Sequence, residues 1–195
     1  EFGKPPHGAV QIVLDEAGAV EAIVACQRNV AHRRIEEFML LANETVAAHL
    51  ERVAMPSLYR VHEAPDAAKV ETFEEFIGPL GYSLGGAAGE LEPRHFQRLV
   101  GKMAGKPEER PIAFLMLRTM QKARYDPANL GHFGLAADAY THFTSPIRRY
   151  PDLVVHRAIK AVLGGTTYDA GNWAALGVHC SETERRADDA TRDVE

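Results

Sequence analysis

His132–Arg157 reads HFGLAADAYTHFTSPIRRYPDLVVHR, and the rest of the chain is interpreted outward from it. A Thr-Ser-Pro step, two adjacent arginines, a Tyr-Pro-Asp step and flanking histidines fall within one short run. Ser145-Pro146 fits a helix N-cap followed by proline at the first helical position. A helix starting there would offer free backbone N–H groups and a positive dipole end to an anion. Arg148 and Arg149 would follow in its first turn. Successive helical residues point roughly 100° apart, so only one arginine can face the site directly. Pro151 is expected to disrupt that turn, and Asp152 to pair with an arginine and fix its fork. Thr144 and Ser145 supply hydroxyls suited to phosphate or sugar oxygens, and Tyr140, His142 and Tyr150 supply rings able to stack on bases. The competing reading is a surface salt-bridge cluster of small energetic weight. Chemistry alone leaves both open.

The whole-chain balance is that of an ordinary soluble globular protein: 195 residues, 46% hydrophobic and 25% charged. No apolar run approaches membrane-spanning length, and the first residues lack signal-peptide architecture. A net charge of −5 and a pI near 6.0 argue against wholesale coating of nucleic acid. A local basic groove is still allowed, since Arg148, Arg149 and Arg157 cluster while acids crowd Glu71–Glu75 and Glu182–Asp193. Cys26 and Cys180 lie far apart with no metal-spaced partners, which implies two buried thiols and a cytosolic setting.

Periodicity predicts an α+β fold, a mixed or antiparallel sheet packed with several α-helices. Residues 9–14 and 19–26 are β-prone runs around a DEAG turn, a hairpin signature. Ala31–Val53 carries Ile35, Phe38, Met39, Ala42, Val46, Leu50 and Val53 at helical spacing, which predicts one buried stripe interrupted by Glu36, Glu37, Asn43 and Glu44. Residues 57–62 read as a strand and 66–78 as a helix capped by Asp66 and stopped by Gly78. Helices follow at about 93–104 and 111–123. HFGLA reads as a short strand, PDLVVHRAIKAVL as a helix ended by Gly164-Gly165, and about 172–195 as a final charged helix. The Gly-rich GYSLGGAAGE lacks the Lys-Ser/Thr ending of a phosphate loop.

GHFGLAADAYTHFTSPIRRYPDLVVHRAIK resembles the signature of the ribonuclease II/ribonuclease R exoribonuclease family, the RNB domain. QRNVAHRRIEEFMLLANETVAAHL, LYRVHEAPD, KARYDPANLGHFGL and HCSETERRADDATRDVE are similar to family segments in the expected order, so the likeness covers essentially the whole chain. Of the two branches, ribonuclease R is the closer.

The resemblance implies a processive, metal-dependent 3′→5′ exoribonuclease that releases nucleoside 5′-monophosphates from single-stranded RNA in the cytoplasm, with no membrane partner. It assigns the catalytic arginine to Arg148, whose planar guanidinium can hold two oxygens of the scissile phosphate. Glu37, ahead of Glu36, is placed on the ribose 2′-hydroxyl. His142, Thr144, Ser145, Arg149 and Tyr150 complete the implied RNA-contacting set, with a salt bridge to Asp152 placed ahead of phosphate contact for Arg149. Glu184 matches a family position of unassigned role. The family's Mg²⁺ is held by clustered aspartates, and no stretch of this sequence places three or four aspartates in a short loop. Residues 1–195 are therefore expected to be the C-terminal portion of an RNB domain, without metal ligands of their own, partnered by the N-terminal half of that domain. The other expectation kept open is an inactive RNA-binding fragment or degenerate relative.

Overall fold

The computed structural model describes residues 10–25, 29–87 and 89–192. Strands β1 (Val10–Leu14) and β2 (Val20–Ala25) form the expected antiparallel hairpin. The Asp15 carboxylate closes its turn by accepting from the N–H groups of Ala17 and Ala19 at 2.9 and 2.8 Å. Gly18 supplies the positive φ of 80° that the turn needs.

Helix α1 (Val30–Arg52) begins at Asn29, whose side-chain oxygen accepts from the His32 N–H at 3.1 Å. Strand β3 (Tyr59–Val61) pairs antiparallel with β4 (Arg124–Asp126). Between them come α2 (Ala67–Ile77), capped by Asp66, then α3 (Pro93–Met103) and α4 (Glu109–Thr119). Helices α5 (Tyr150–Leu163) and α6 (Trp173–Arg192) complete the order.

Several buried clusters hold these elements. Ile77, Phe96, Leu99, Met103 and Ile112 pack α2, α3 and α4 together. Leu50 of α1 meets Val155 and Ala158 of α5, while Leu58, Tyr125 and Cys180 join the strands to α6. Gly177 lets α6 lie directly on β4, since a Cβ there would stand 2.8 Å from the Tyr125 carbonyl oxygen. Burial pushes the Cys180 thiol up; Cys26 lies outside the described residues.

The fold class agrees with the sequence: α+β, with two two-stranded antiparallel sheets and a single parallel bridge, His62 to His132, among the described residues. Five local expectations do not hold. The 145–148 stretch is a turn, with the N–H groups of Arg148 and Arg149 both directed to the Ser145 carbonyl, and α5 starts five residues later than Ser145, at Tyr150. Pro151 sits in the first turn of α5, where its missing N–H costs nothing, so it starts the helix it was expected to disrupt. HFGLA forms a 3-10 turn over Phe133–Leu135, ended by Ala136 in the left-handed region. The stripe of α1 is buried at Asn43, Ala47 and Leu50, while Ile35 and Phe38 are mostly exposed. The fourth helix ends at Thr119, short of the expected residue 123.

Candidate functional site

Residues 140–145 run as an extended segment beside β3, and nearly every one is tethered. The Tyr140 carbonyl accepts from the Arg60 N–H at 2.8 Å, and the Thr141 hydroxyl donates to the Leu58 carbonyl at 2.6 Å. His142 Nδ1 lies 2.8 Å from the Tyr125 hydroxyl. The Phe143 N–H donates to Asn43 Oδ1 at 3.0 Å, and the Ser145 N–H to Asp152 Oδ2 at 2.7 Å. The segment is thus held from β3, β4, α1 and α5 together, the kind of preorganisation a binding site requires.

This segment forms one wall of a cleft of about 790 Å³. Thr144, Ser145, Arg148 and Arg149 line it on that side; α1 lines the other with Glu36, Glu37 and Glu44. Phe38, Met39 and Leu41 add apolar surface. Arginines, carboxylates and apolar side chains lining one cleft suit a ligand with phosphates, hydroxyls and flat rings.

The two arginines differ. Arg149 donates to Asp152 Oδ2 at 2.8 Å; its side chain is 19% exposed, and the Asp152 carboxylate is fully buried. Arg148 is exposed, and its guanidinium makes no ion pair among the described residues. Arg148 is therefore the arginine available to an incoming anion.

Of the sequence-assigned residues, the cleft unites Glu37, Thr144, Ser145, Arg148 and Arg149. His142 and Tyr150 are not in its lining. His142 points inward, edge-on to Tyr125 and Tyr140 with centroids 5.6 and 5.9 Å away. Tyr150 is half exposed at the start of α5. Glu184 lies elsewhere, 2.5 Å from an Arg60 guanidinium that stacks over the Tyr125 ring. Sequence reasoning passed over Asn43 and Glu44 as site residues, although both stood out as polar interruptions of the α1 stripe.

Among the described residues no group of three or more His, Cys, Asp or Glu side chains could hold a metal ion. The described residues do not fit a metal centre of their own.

Burial makes the aromatic base of this segment electrically quiet. It pushes His142 down to about 2, helped by Arg149 and Arg60, and His132 to about 4, helped by His62. It also raises Tyr125 and Tyr140. The unfolded chain protonates both histidines near 6.5, so folding stability is complete above that pH and is lost as pH falls below it. Chemical denaturation should show a loss of roughly 2 kcal/mol between about pH 7 and about pH 5.5. Equal stability at both would mean that the two rings titrate as if exposed.

With this geometry in place, comparison with known proteins assigns the class. The sequence profile of the RNB domain matches residues 5–165, and the chain belongs to that family. It is 49% identical over 184 residues to ribonuclease R of Aquifex aeolicus (strain VF5), covering 92% of this chain and 26% of the relative. Ribonuclease R of Escherichia coli (strain K12) is 44% identical over 197 residues, covering 94% and 24%. The fold superposes on Mycoplasma genitalium RNase R in complex with ribose methylated single-stranded RNA, with a TM-score of 0.85 and 28% identity, over 96% of this chain and 30% of that one. The chain spans about a quarter of the length of the curated relatives it matches. No described helix is long and apolar enough to cross a membrane.

Proposed function

We propose that these residues are the C-terminal portion of the catalytic domain of a cytoplasmic 3′→5′ exoribonuclease that hydrolyses single-stranded RNA to nucleoside 5′-monophosphates. The observation that carries this reading is the cleft itself, which brings the exposed guanidinium of Arg148 and Glu37 of α1 into one lining. Arg148 takes the scissile phosphate and stabilises the charge that develops on it. Glu37 accepts a hydrogen bond from the ribose 2′-hydroxyl, a group DNA lacks. Thr144, Ser145 and the Arg149–Asp152 pair shape the phosphate side. Mg²⁺ would be held by residues outside those described, in the N-terminal half of the same domain, and would there supply the activation of water. The likeness to an RNA-bound ribonuclease R supports an RNA ligand for this chain.

The test is release of nucleoside 5′-monophosphates from a 3′-labelled single-stranded oligoribonucleotide with Mg²⁺. The complete polypeptide carrying this sequence should release them one at a time, and residues 1–195 alone should release none. Hydrolysis by residues 1–195 alone would overturn the placement of the metal ligands. Binding without hydrolysis by the complete polypeptide would establish the inactive RNA-binding alternative.

A further inference from the structure

Asn43 is a polar residue, 3% exposed, in the middle of a 23-residue helix. A buried amide in such a place is costly unless both its ends are satisfied. Here both are: Nδ2 donates to the Tyr140 hydroxyl at 2.8 Å, and Oδ1 accepts from the Phe143 N–H at 3.0 Å. The same peptide run is gripped from the other side. His156 of α5 lies 2.9 Å from the Phe143 carbonyl oxygen through Nε2. A carbonyl only accepts, so Nε2 carries the hydrogen. The His156 ring also stacks on Phe143, with centroids 4.2 Å apart and planes 14° from parallel.

Phe143 is thus held by its N–H from α1 and by its C=O from α5, and Thr144 and Ser145 follow immediately in the cleft wall. Asn43 stands seven residues after Glu36, two helical turns along the same face. The carboxylate wall and the arginine wall are therefore joined at their base by one amide.

We infer that Asn43 and His156 are positioning residues: together they clamp the Phe143 peptide and set the separation of Arg148 from the α1 carboxylates. This rests on the hydrolytic reading above and deepens it. Both polar ends of Asn43 are taken up by Tyr140 and Phe143, and His156 is outside the cleft lining, so neither is assigned a contact with the reacting atoms. A slack clamp would let the arginine wall drift, and a misplacement near 1 Å can lower turnover on the order of 100-fold.

The complete polypeptide is the system for the test, with kcat, RNA affinity and amide exchange at Phe143 measured together. Asn43→Leu removes both bonds at similar size, and His156→Phe removes the donor while keeping a ring for stacking. Each should lower kcat about 10- to 100-fold, with RNA affinity changed less than about threefold for His156→Phe, whose side chain is outside the cleft lining, and less than kcat for Asn43→Leu, which alters one lining residue. Asn43→Asp should recover most of that loss, since a carboxylate accepts from both the Phe143 N–H and the Tyr140 hydroxyl. The double variant should lose less than the product of the two single losses, because both act on one peptide.

Wild-type kcat in a folded Asn43→Leu or His156→Phe protein would overturn the clamp, as would an Asn43→Asp protein no faster than Asn43→Leu. If Asn43→Leu does not fold, His156→Phe carries the same decision. An inactive wild-type protein would overturn the hydrolytic reading. The clamp would then stand or fall on faster exchange of the Phe143 amide in Asn43→Leu, restored in Asn43→Asp.

Discussion

Replacing Arg148 by lysine in the complete polypeptide should lower turnover about 100- to 1000-fold, or roughly 2.7–4 kcal/mol of transition-state stabilisation, while RNA affinity stays nearly constant. Lysine keeps the positive charge, so attraction to the RNA backbone survives. It lacks the planar fork that holds two phosphate oxygens at once. An interaction strengthened only as charge develops on the phosphate appears in kcat and not in binding. Arg149→Lys is the internal control. That guanidinium is committed to the buried Asp152, so the change should lower stability more than turnover. Single-turnover rates and equilibrium binding for both variants separate the cases. Equal small losses from both would mean that the arginines only hold RNA backbone. A larger turnover loss at Arg149 would place the catalytic fork one residue later.

Asp152→Ala should destabilise the fold by about 3–5 kcal/mol, the usual cost of removing one member of a buried ion pair. Asp152 is fully buried. Its Oδ2 accepts from both the Ser145 N–H and Arg149, so the truncation strands a backbone donor and a mostly buried cation together. Asp152→Asn should cost less, because an amide oxygen can still take the Ser145 N–H. Urea denaturation gives the comparison directly. A change below about 1 kcal/mol for Asp152→Ala would put this pair among surface ion pairs of little weight. Such a result would also remove the reason for treating the two arginines differently.

Much of this was legible before any coordinates. The hairpin, the long first helix, the Asp66 cap and the stop after Leu163 all depend on neighbours within a few residues. Turn chemistry, capping and periodicity report on them directly. For the candidate site, spacing in the Thr-Ser-Pro-Ile-Arg-Arg run suggested an anion site or a salt-bridge cluster, and only the family resemblance pointed to Arg148 and the paired glutamates of α1. Where local rules failed, a distant contact had overridden them. Ser145-Pro146 looked like a helix start, but the Ser145 N–H is captured by Asp152, and the helix waits for Tyr150-Pro151. The α1 stripe was expected to bury its apolar members. Only contacts with the 140–143 segment and α5 select the face that is buried, and that face includes Asn43.

The sequence by itself determined the family likeness and the α+β class, and it offered Asp152 as the partner of one of the two adjacent arginines. The first two follow from residue order and periodicity along the whole chain, the third from spacing within one short segment. That His142 turns inward as a packing ring and that Asn43 ties the two walls together were decided by tertiary structure alone. Each of those outcomes depends on a partner from another element: Tyr125 for His142, and Phe143, a hundred residues away, for Asn43. For the arginines the deciding partner, Asp152, is three residues off, yet its grip depends on burial beneath the rest of the fold. Burial raises the cost of an unpaired polar group to the point where it dictates direction, and burial is a property of the assembled chain.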